Sequence, residues 1–283
     1  MEAYTDFAAV YDTFMDETPY EVWGTFVAGL IEKYGISKPV RSGAGQGKEN
    51  TEEYDTAEDS KQALDEEKNL IVELGCGTGS FTRVMYGLGY DIMGTDISPE
   101  MLNIARNRNA ELGLDIMYLE QDMRELDLYC TAGTIVSVCD SINYILEVDE
   151  LIETFKLVNN FLFPKGVFIF DFNTLHKYRD VIGDTTIAEN RQDCSFIWDN
   201  YFHEEDNINE YDLTIFARAD REKELFSRSV ETHYQRGYTY EEMLDIVERS
   251  GLKFVAAFDE ETHESPTAES ERIYIVAMEQ GKE

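Results

Sequence analysis

From Asn69 onward the chain alternates short apolar runs with amphipathic ones, and that alternation constrains its fold more than any other feature. "NLIVELG" predicts a strand, "SFTRVMYGLG" a helix, and "YDIMGTD" the next strand. "SPEMLNIARNRNAELG" predicts a helix with Ser98 as N-cap and Pro99 at its first position. "LDIMYLEQD" and "GTIVSVCD" predict two more strands, the second apolar enough to be covered on both faces, as parallel strands are. "DELIETFKLVNNFLFPKG" predicts a helix ended by Pro164 and Gly166, and "VFIFDFN" a further buried strand. Repeated βα units of this length imply an α/β, doubly wound fold, a mostly parallel sheet with helices on both faces.

The flanking segments read differently. Residues 3–35 predict two helices broken near Pro19, with Tyr4, Phe7, Ala8 and Tyr11 on the first and Val22, Trp23, Phe26, Val27, Leu30 and Ile31 on the second. Residues 37–67 are rich in Gly, Glu and Asp and poor in apolar residues, which predicts an acidic surface insertion, flexible for much of its length. After Phe172 a short helix around "LHKYRDVIG" leads into residues 194–238, where apolar and polar residues alternate. The turn-like "EEDNIN" and "ADREKE" divide that stretch into two or three antiparallel strands. Alternation sends Phe196, Trp198 and Phe202 to one face and Tyr201 to the other, and one of these faces could roof a pocket. Helix "TYEEMLDIVERSG" and strands "LKFVAAFD" and "RIYIVAME" follow, the strand pair reading as a hairpin at one edge of the sheet. The expected organisation is an N-terminal helical unit (1–36), the insertion (37–68), a core (69–173 and 237–283), and an inserted helix with antiparallel strands (174–236).

Composition narrows the partners. With 43% apolar and 12% aromatic residues the 283-residue chain can bury a core. Its 58 acids against 24 bases give a net charge of −34, a field that repels phosphate backbones and anionic membranes. The same charge also keeps a chain soluble without any bearing on its partners. The four cysteines, Cys76, Cys130, Cys139 and Cys194, form no C-x-x-C pair and read as small core residues. The start "MEAYTDFAAVYD" is no signal peptide, and no apolar run reaches the ~18 residues that a span needs. The expectation is a reduced, cytoplasmic protein off the membrane, a monomer or homodimer. Four histidines share no metal-ligand spacing, so no metal is expected.

"VELGCGTGSFTRVM", residues 72–85, stands at a strand-to-helix junction. Glycine accepts the dihedrals of so abrupt a turn, and its missing side chain lets a ligand lie against the backbone at a helix N-terminus. Dinucleotides and S-adenosylmethionine both use this device. The spacing here is G-x-G-x-G, with Ser80 where a third dinucleotide glycine would fall. Glu73, two residues before the first glycine, would oppose a pyrophosphate and suits a cationic α-amino group. Asp96 ends the second strand and can accept from ribose hydroxyls in either ligand class.

"VELGCGTGSFT", "GTDISPEML" and "EQDMREL" resemble the successive motifs of the class I S-adenosylmethionine-dependent methyltransferases, over about residues 69–173 plus the terminal strands. The resemblance implies a Rossmann-like seven-stranded sheet whose last strand is antiparallel, with a small antiparallel elaboration. It implies S-adenosyl-L-methionine as cofactor. Glu73 and the loop Gly75, Cys76, Gly77 and Gly79 would hold its methionyl part, Asp96 its ribose, and Asp122 its adenine amino group. Ile97 and Met123 would pack on the adenine. "CDSINYI", which begins at Cys139, would line the space between cofactor and substrate. "YTDFAAVYDTFMDETPYEVW" resembles the small-molecule branch that methylates amines and amino sugars, which would make Tyr11, Tyr20 and Trp23 lid residues over the cofactor. Aromatics at helical spacing are equally a core stripe, and both readings stand.

The expected reaction is methyl transfer to a small-molecule acceptor, with a nitrogen nucleophile favoured. Tyr144, His176 and Asp140 are the candidates for taking a proton near the strand ends, although a histidine at a helix start is as readily a surface residue. No Asn/Asp-Pro-Pro-aromatic loop follows the fourth strand, which with the charge argues against DNA or RNA as acceptor. The alternatives are an RNA methyltransferase, a non-catalytic S-adenosylmethionine-binding protein and a nicotinamide oxidoreductase.

Overall fold

The computed structural model describes residues 8–40, 56–220 and 225–282. Helices α1 (Ala8–Phe14) and α2 (Tyr20–Tyr34) open it, with Pro19 at the cap position between them. Helix α3 (Thr56–Asn69) then leads into β1 (Leu70–Leu74). The alternating half follows as α4 (Ser80–Gly87), β2 (Asp91–Asp96), α5 (Pro99–Leu112), β3 (Met117–Glu120), β4 (Ala132–Ser137), α6 (Val148–Phe161) and β5 (Leu162–Asn173). Ser98 caps α5 as its sequence predicts, its hydroxyl accepting from the Met101 N–H at 3.2 Å. The elaboration is β6 (Thr186–Asn190), β7 (Cys194–His203), β8 (Ile208–Asp220) and β9 (Leu225–Arg236). Helix α7 (Tyr240–Arg249), β10 (Lys253–Asp259) and β11 (Arg272–Met278) complete the chain.

Seven strands form the main sheet in the order β10-β11-β5-β4-β1-β2-β3, and β11 runs antiparallel to both neighbours. This is the Rossmann-like arrangement expected, with the predicted hairpin at one edge. Chain order reverses between β1 and β4, so their carboxyl ends open a crevice. The apolar runs explain the burial. Residues of β4 and β5 are covered on both faces because helices pack on each. On one side Phe155 and Val158 of α6 join Met243, Ile246 and Val247 of α7 against Ile135, Phe168 and Phe170. On the other side Trp23, Val27, Leu30 and Ile31 of α2 join Phe81 and Met85 of α4 against Ile71, Val136 and Ile169.

Four local readings change. Residues 194–238 hold three antiparallel strands, as expected, but the elaboration gains a fourth, because the short, largely exposed "TIAEN" of β6 pairs with β7 despite its weak apolar pattern. Helix α6 stops at Phe161 and the strand starts at Leu162, so Pro164 and Gly166 fall inside β5, next to a register shift with β4. The segment read as a flexible insertion, 37–68, contains most of α3, and its ends are tied to the sheet. Ser37 is buried, with its hydroxyl bonded to the Lys68 carbonyl at 3.0 Å and to Thr134 at 2.8 Å. The rest of that reading, residues 41–55, lies outside the described residues. Of the four cysteines, Cys76 and Cys194 are buried, but Cys130 is exposed and Cys139 half-buried.

The small sheet turns one face inward. Phe196, Tyr211, Leu213 and Ile215 pack with Val10 and Phe14 of α1, with Phe14 and Phe196 edge to face at 4.7 Å. Helix α1 thus bridges the elaboration and the glycine loop, where Asp12 accepts from the Thr78 hydroxyl at 2.6 Å.

Candidate active site

The crevice at the β1/β4 switch point holds a cavity of about 330 Å³. Its floor is the loop after β1. Gly75 and Gly77 have positive φ, +71° and +53°. A Cβ on Gly75 would sit 2.6 Å from the Ser141 hydroxyl oxygen, while a Cβ on Gly77 would meet nothing within 4 Å. Gly77 therefore leaves open space on the cavity side, and Gly75 lets the next loop close down. Asp96 holds this floor in place: one carboxylate oxygen accepts from the Gly77 N–H at 2.7 Å and the other from the Ser98 N–H at 2.8 Å. Burial pushes the Asp96 carboxyl upward, and these backbone donors pull it back.

Glu73 faces the cavity from the last turns of β1, almost fully buried and bonded to the Thr82 hydroxyl. Burial pushes its carboxyl up to about 8, against the Thr82 bond. A buried carboxyl of this kind becomes an anion readily only when a cation arrives beside it. Ile97, exposed at the mouth, lines the cavity with Met123 and Asp122. Burial would raise Asp122, but the Arg124 guanidinium more than offsets it and holds the carboxyl below its usual range. That ion pair is 2.6 Å long.

The wall after β4 is a strained turn. Cys139 and Asp140 both have positive φ, 63° and 52°, which costs non-glycine residues energy. The buried Asp171 carboxylate compensates by accepting from both backbone N–H groups, at 3.0 and 2.7 Å. Burial raises Asp171 to about 6, and Arg272 acts against that rise. The Cys139 thiol is pushed up to about 12 by burial and then by Asp140, so it is a poor nucleophile. Asn143 fixes the rest of the turn through the Asn173 and Arg236 carbonyls, at 2.8 and 2.7 Å. Tyr11 and Tyr20 close the cavity from α1 and α2, and the edge strand β9 closes it with Thr232, His233 and Tyr234.

Comparison with known proteins gives this geometry a family. Residues 71–166 match a family model described as a methyltransferase domain. The chain is 28% identical over 276 residues to the "Putative methyltransferase YqeM" of Bacillus subtilis (strain 168), covering 97% of this chain and 96% of that one. The fold matches the crystal structure of an S-adenosylmethionine-dependent methyltransferase from Clostridium acetobutylicum with a TM-score of 0.77, at 24% identity over 98% and 99% of the two chains. The chain is a methyltransferase with the fold of the S-adenosylmethionine-dependent class. The sugar N-methyltransferase KedS8 from Streptoalloteichus shares the fold with a TM-score of 0.60, at 15% identity over 86% of this chain and 98% of that one.

The cofactor of this methyltransferase is S-adenosyl-L-methionine. The cavity fits it: a glycine floor without side chains, a buried carboxyl beside it, and a second carboxylate at the end of β2. Of the residues singled out in the sequence, Tyr11, Tyr20, Glu73, Gly75, Cys76, Gly77, Asp96, Ile97, Asp122, Met123, Cys139 and Tyr144 line it. Four do not. Gly79 is left-handed and does not line the cavity, and a Cβ there would collide with the Tyr118 ring. Trp23 is buried in the α2 core, its indole N–H bonded to Glu260 at 2.8 Å and Arg272 over its ring. Asp140 turns away to Arg272 (2.5 Å) and Gln235 (2.7 Å). His176 lies outside the cavity, paired with Asp180 at 3.0 Å.

The antiparallel strands expected over the pocket meet it through β9 rather than through the aromatics of β7. Trp198 packs on Tyr211 at 4.6 Å and Tyr201 is 48% exposed, so neither reaches the cavity. Strand β9 does, because it ends the sheet order at the edge over the crevice. His233 was not singled out from the sequence. The signal was present in the strand alternation, since Glu231, His233 and Gln235 share a face, but only the β8 register reveals what that face meets.

Proposed function

We propose that the protein transfers a methyl group to a nitrogen of a small-molecule acceptor lying between the glycine floor and β9. Bound S-adenosylmethionine supplies a sulfonium-activated methyl, so the step is an in-line displacement that rewards alignment. The observation that carries the reading is the cavity lining. Its size falls in the range of small-ligand sites. Among the described residues its only bases are Arg124, already paired with Asp122, and His233. Acids and tyrosine hydroxyls make up much of the remaining polar lining. Such a wall receives an ammonium or amine better than a phosphate. The net charge of −34 opposes nucleic acid in the same way. KedS8, a sugar N-methyltransferase, shares the fold, which is consistent with an amine acceptor.

Within this reading Glu73 receives the α-amino group and Asp96 the ribose hydroxyls, with Ile97 and Met123 against the adenine. Asp122 faces the adenine amino group while held by Arg124. Tyr11 and Tyr20 close the site as a lid on α1 and α2. Purified protein, S-adenosylmethionine and panels of amines, amino sugars, carboxylates and RNA test the reading, with S-adenosylhomocysteine release as readout. Release with amines or amino sugars is expected. Release with carboxylates or RNA alone would refute it.

A further inference from the structure

An amine is protonated at neutral pH and cannot attack until that proton leaves. The residues first suggested for this task, Asp140 and His176, are engaged elsewhere. A different set converges on Tyr144. Its hydroxyl lies 2.6 Å from the Tyr211 hydroxyl and 3.5 Å from His233 Nδ1. His233 is 3% exposed and stacks flat on Tyr211, with ring centroids 4.9 Å apart and planes within 10°. On its far side Nε2 lies 3.4 Å from a carboxylate oxygen of Glu231, itself 8% exposed. The turn after β4 and the distant hairpin of β8 and β9 thus supply one connected set.

We propose that His233, reached through Tyr144 and oriented by Glu231, is the base that removes the acceptor's proton. The inference rests on the amine reading above. Tyr211 can donate to the Tyr144 oxygen and Tyr144 to His233 Nδ1, which leaves the ring proton on Nε2, facing the Glu231 carboxylate at 3.4 Å without a hydrogen bond. In the step, the acceptor's N–H bond breaks and its proton passes to the Tyr144 oxygen as the Tyr144 proton moves to Nδ1. The electron pair stays on the acceptor nitrogen, the imidazole becomes imidazolium, and the ionised Glu231 offsets the new charge. The imidazolium returns its proton to water once the products leave. A 3.5 Å link is long for proton transfer, and such contacts shorten when a substrate fills the site. The arrangement follows the general logic in which a third group orients a base.

The titratable groups facing His233 are Tyr144 from the turn, Tyr211 from β8 and Glu231 from its own strand. Tyr11 and Tyr20 face the same cavity from α1 and α2, and Asp140, on the turn of Tyr144, is engaged by Arg272 and Gln235. The first test is therefore the imidazole ¹⁵N spectrum of the S-adenosylhomocysteine-loaded protein between about pH 5 and pH 9. The wild type, Glu231→Gln and Tyr144→Phe are compared, and His233→Gln assigns the signal. The expected result is an Nε2–H tautomer that gains its second proton at Nδ1 within this range. In Glu231→Gln the midpoint falls by at least about one pH unit, because a carboxylate no longer faces the imidazolium. An imidazole neutral at every pH, or an unchanged midpoint in Glu231→Gln, overturns the proposal. If His233→Gln does not fold, Glu231→Gln and Tyr144→Phe still decide it.

The second test uses glucosamine as probe amine with saturating S-adenosylmethionine. His233→Gln should lower kcat at least about 100-fold, with the glucosamine KM within about threefold and the acidic limb of the pH profile flattened. Equal kcat and equal profiles in wild type and His233→Gln overturn the proposal. A wild type that methylates no amine refutes the amine reading and this proposal with it, whereas a wild type that methylates glucosamine no faster than His233→Gln refutes the base assignment alone.

Discussion

The two halves of the cavity are built in different ways. The half proposed to hold the cofactor is local: Glu73, Gly75, Gly77 and Asp96 come from one βαβ unit, and their spacing in sequence carries their arrangement in space. The half proposed to receive the acceptor is assembled from afar: Tyr144 lies 67 residues from Tyr211 and 89 from His233, two residues that the pairing of β8 with β9 sets opposite each other. A local site can be read as a motif. An assembled one depends on sheet register, where a slip of one residue would turn His233 to the opposite face.

The largest effect that would sharpen this contrast belongs to Trp23, which the sequence allowed on either side. As part of the α2 core, Trp23→Ala should destabilise the protein by about 3–5 kcal/mol. Urea unfolding measures it. A variant of normal stability with weakened cofactor binding would return Trp23 to the cavity.

A smaller effect concerns pH. The Glu73 carboxyl is raised to about 8 in the folded protein, from an ordinary 4.5. The folded state therefore binds more protons than the unfolded state between those values, and this group's contribution makes stability fall as pH rises through that window. Binding runs the other way, because a cationic α-amino group needs the carboxylate. Affinity for S-adenosylhomocysteine should rise with pH, by up to about tenfold per pH unit, until about pH 8. Calorimetry across this range checks it, and the slope should be absent in Glu73→Gln. A wild-type affinity flat with pH would separate Glu73 from the ligand's ammonium.

The smallest effect belongs to Tyr201, on the outward face of β7. Tyr201→Ala should change stability by no more than about 0.5 kcal/mol and leave acceptor kinetics alone. A raised acceptor KM would mean that β7, not β9, forms the wall.

Much of the main fold was legible because each element announces itself locally. Ser98-Pro99 marks a helix start, and the apolar runs of β4 and β5 mark strands covered twice. What escaped depended on partners. The polar "TIAEN" is a strand only because β7 offers it a ladder. Pro164 and Gly166 looked like a helix end because nothing local shows that pairing with β4 begins at Leu162. Gly79 looked like its neighbours in the loop, yet it does not line the cavity, and a Cβ there would collide with the Tyr118 ring from β3. His176 and Asp140 have suitable chemistry at suitable strand ends, but their neighbours Asp180, Arg272 and Gln235 engage them.

The separation of the two halves can be measured directly by calorimetric titration of S-adenosylhomocysteine into wild type, Asp96→Ala and His233→Gln. Asp96→Ala removes a charged acceptor and the anchor of the Gly77 N–H, and should weaken binding by about 1–3 kcal/mol. His233→Gln should leave the affinity within about threefold of wild type, since its partners are Tyr144, Tyr211 and Glu231. Equal losses in the two variants, or a loss in His233→Gln alone, would contradict a cofactor half written in one local motif and an acceptor half assembled around β9.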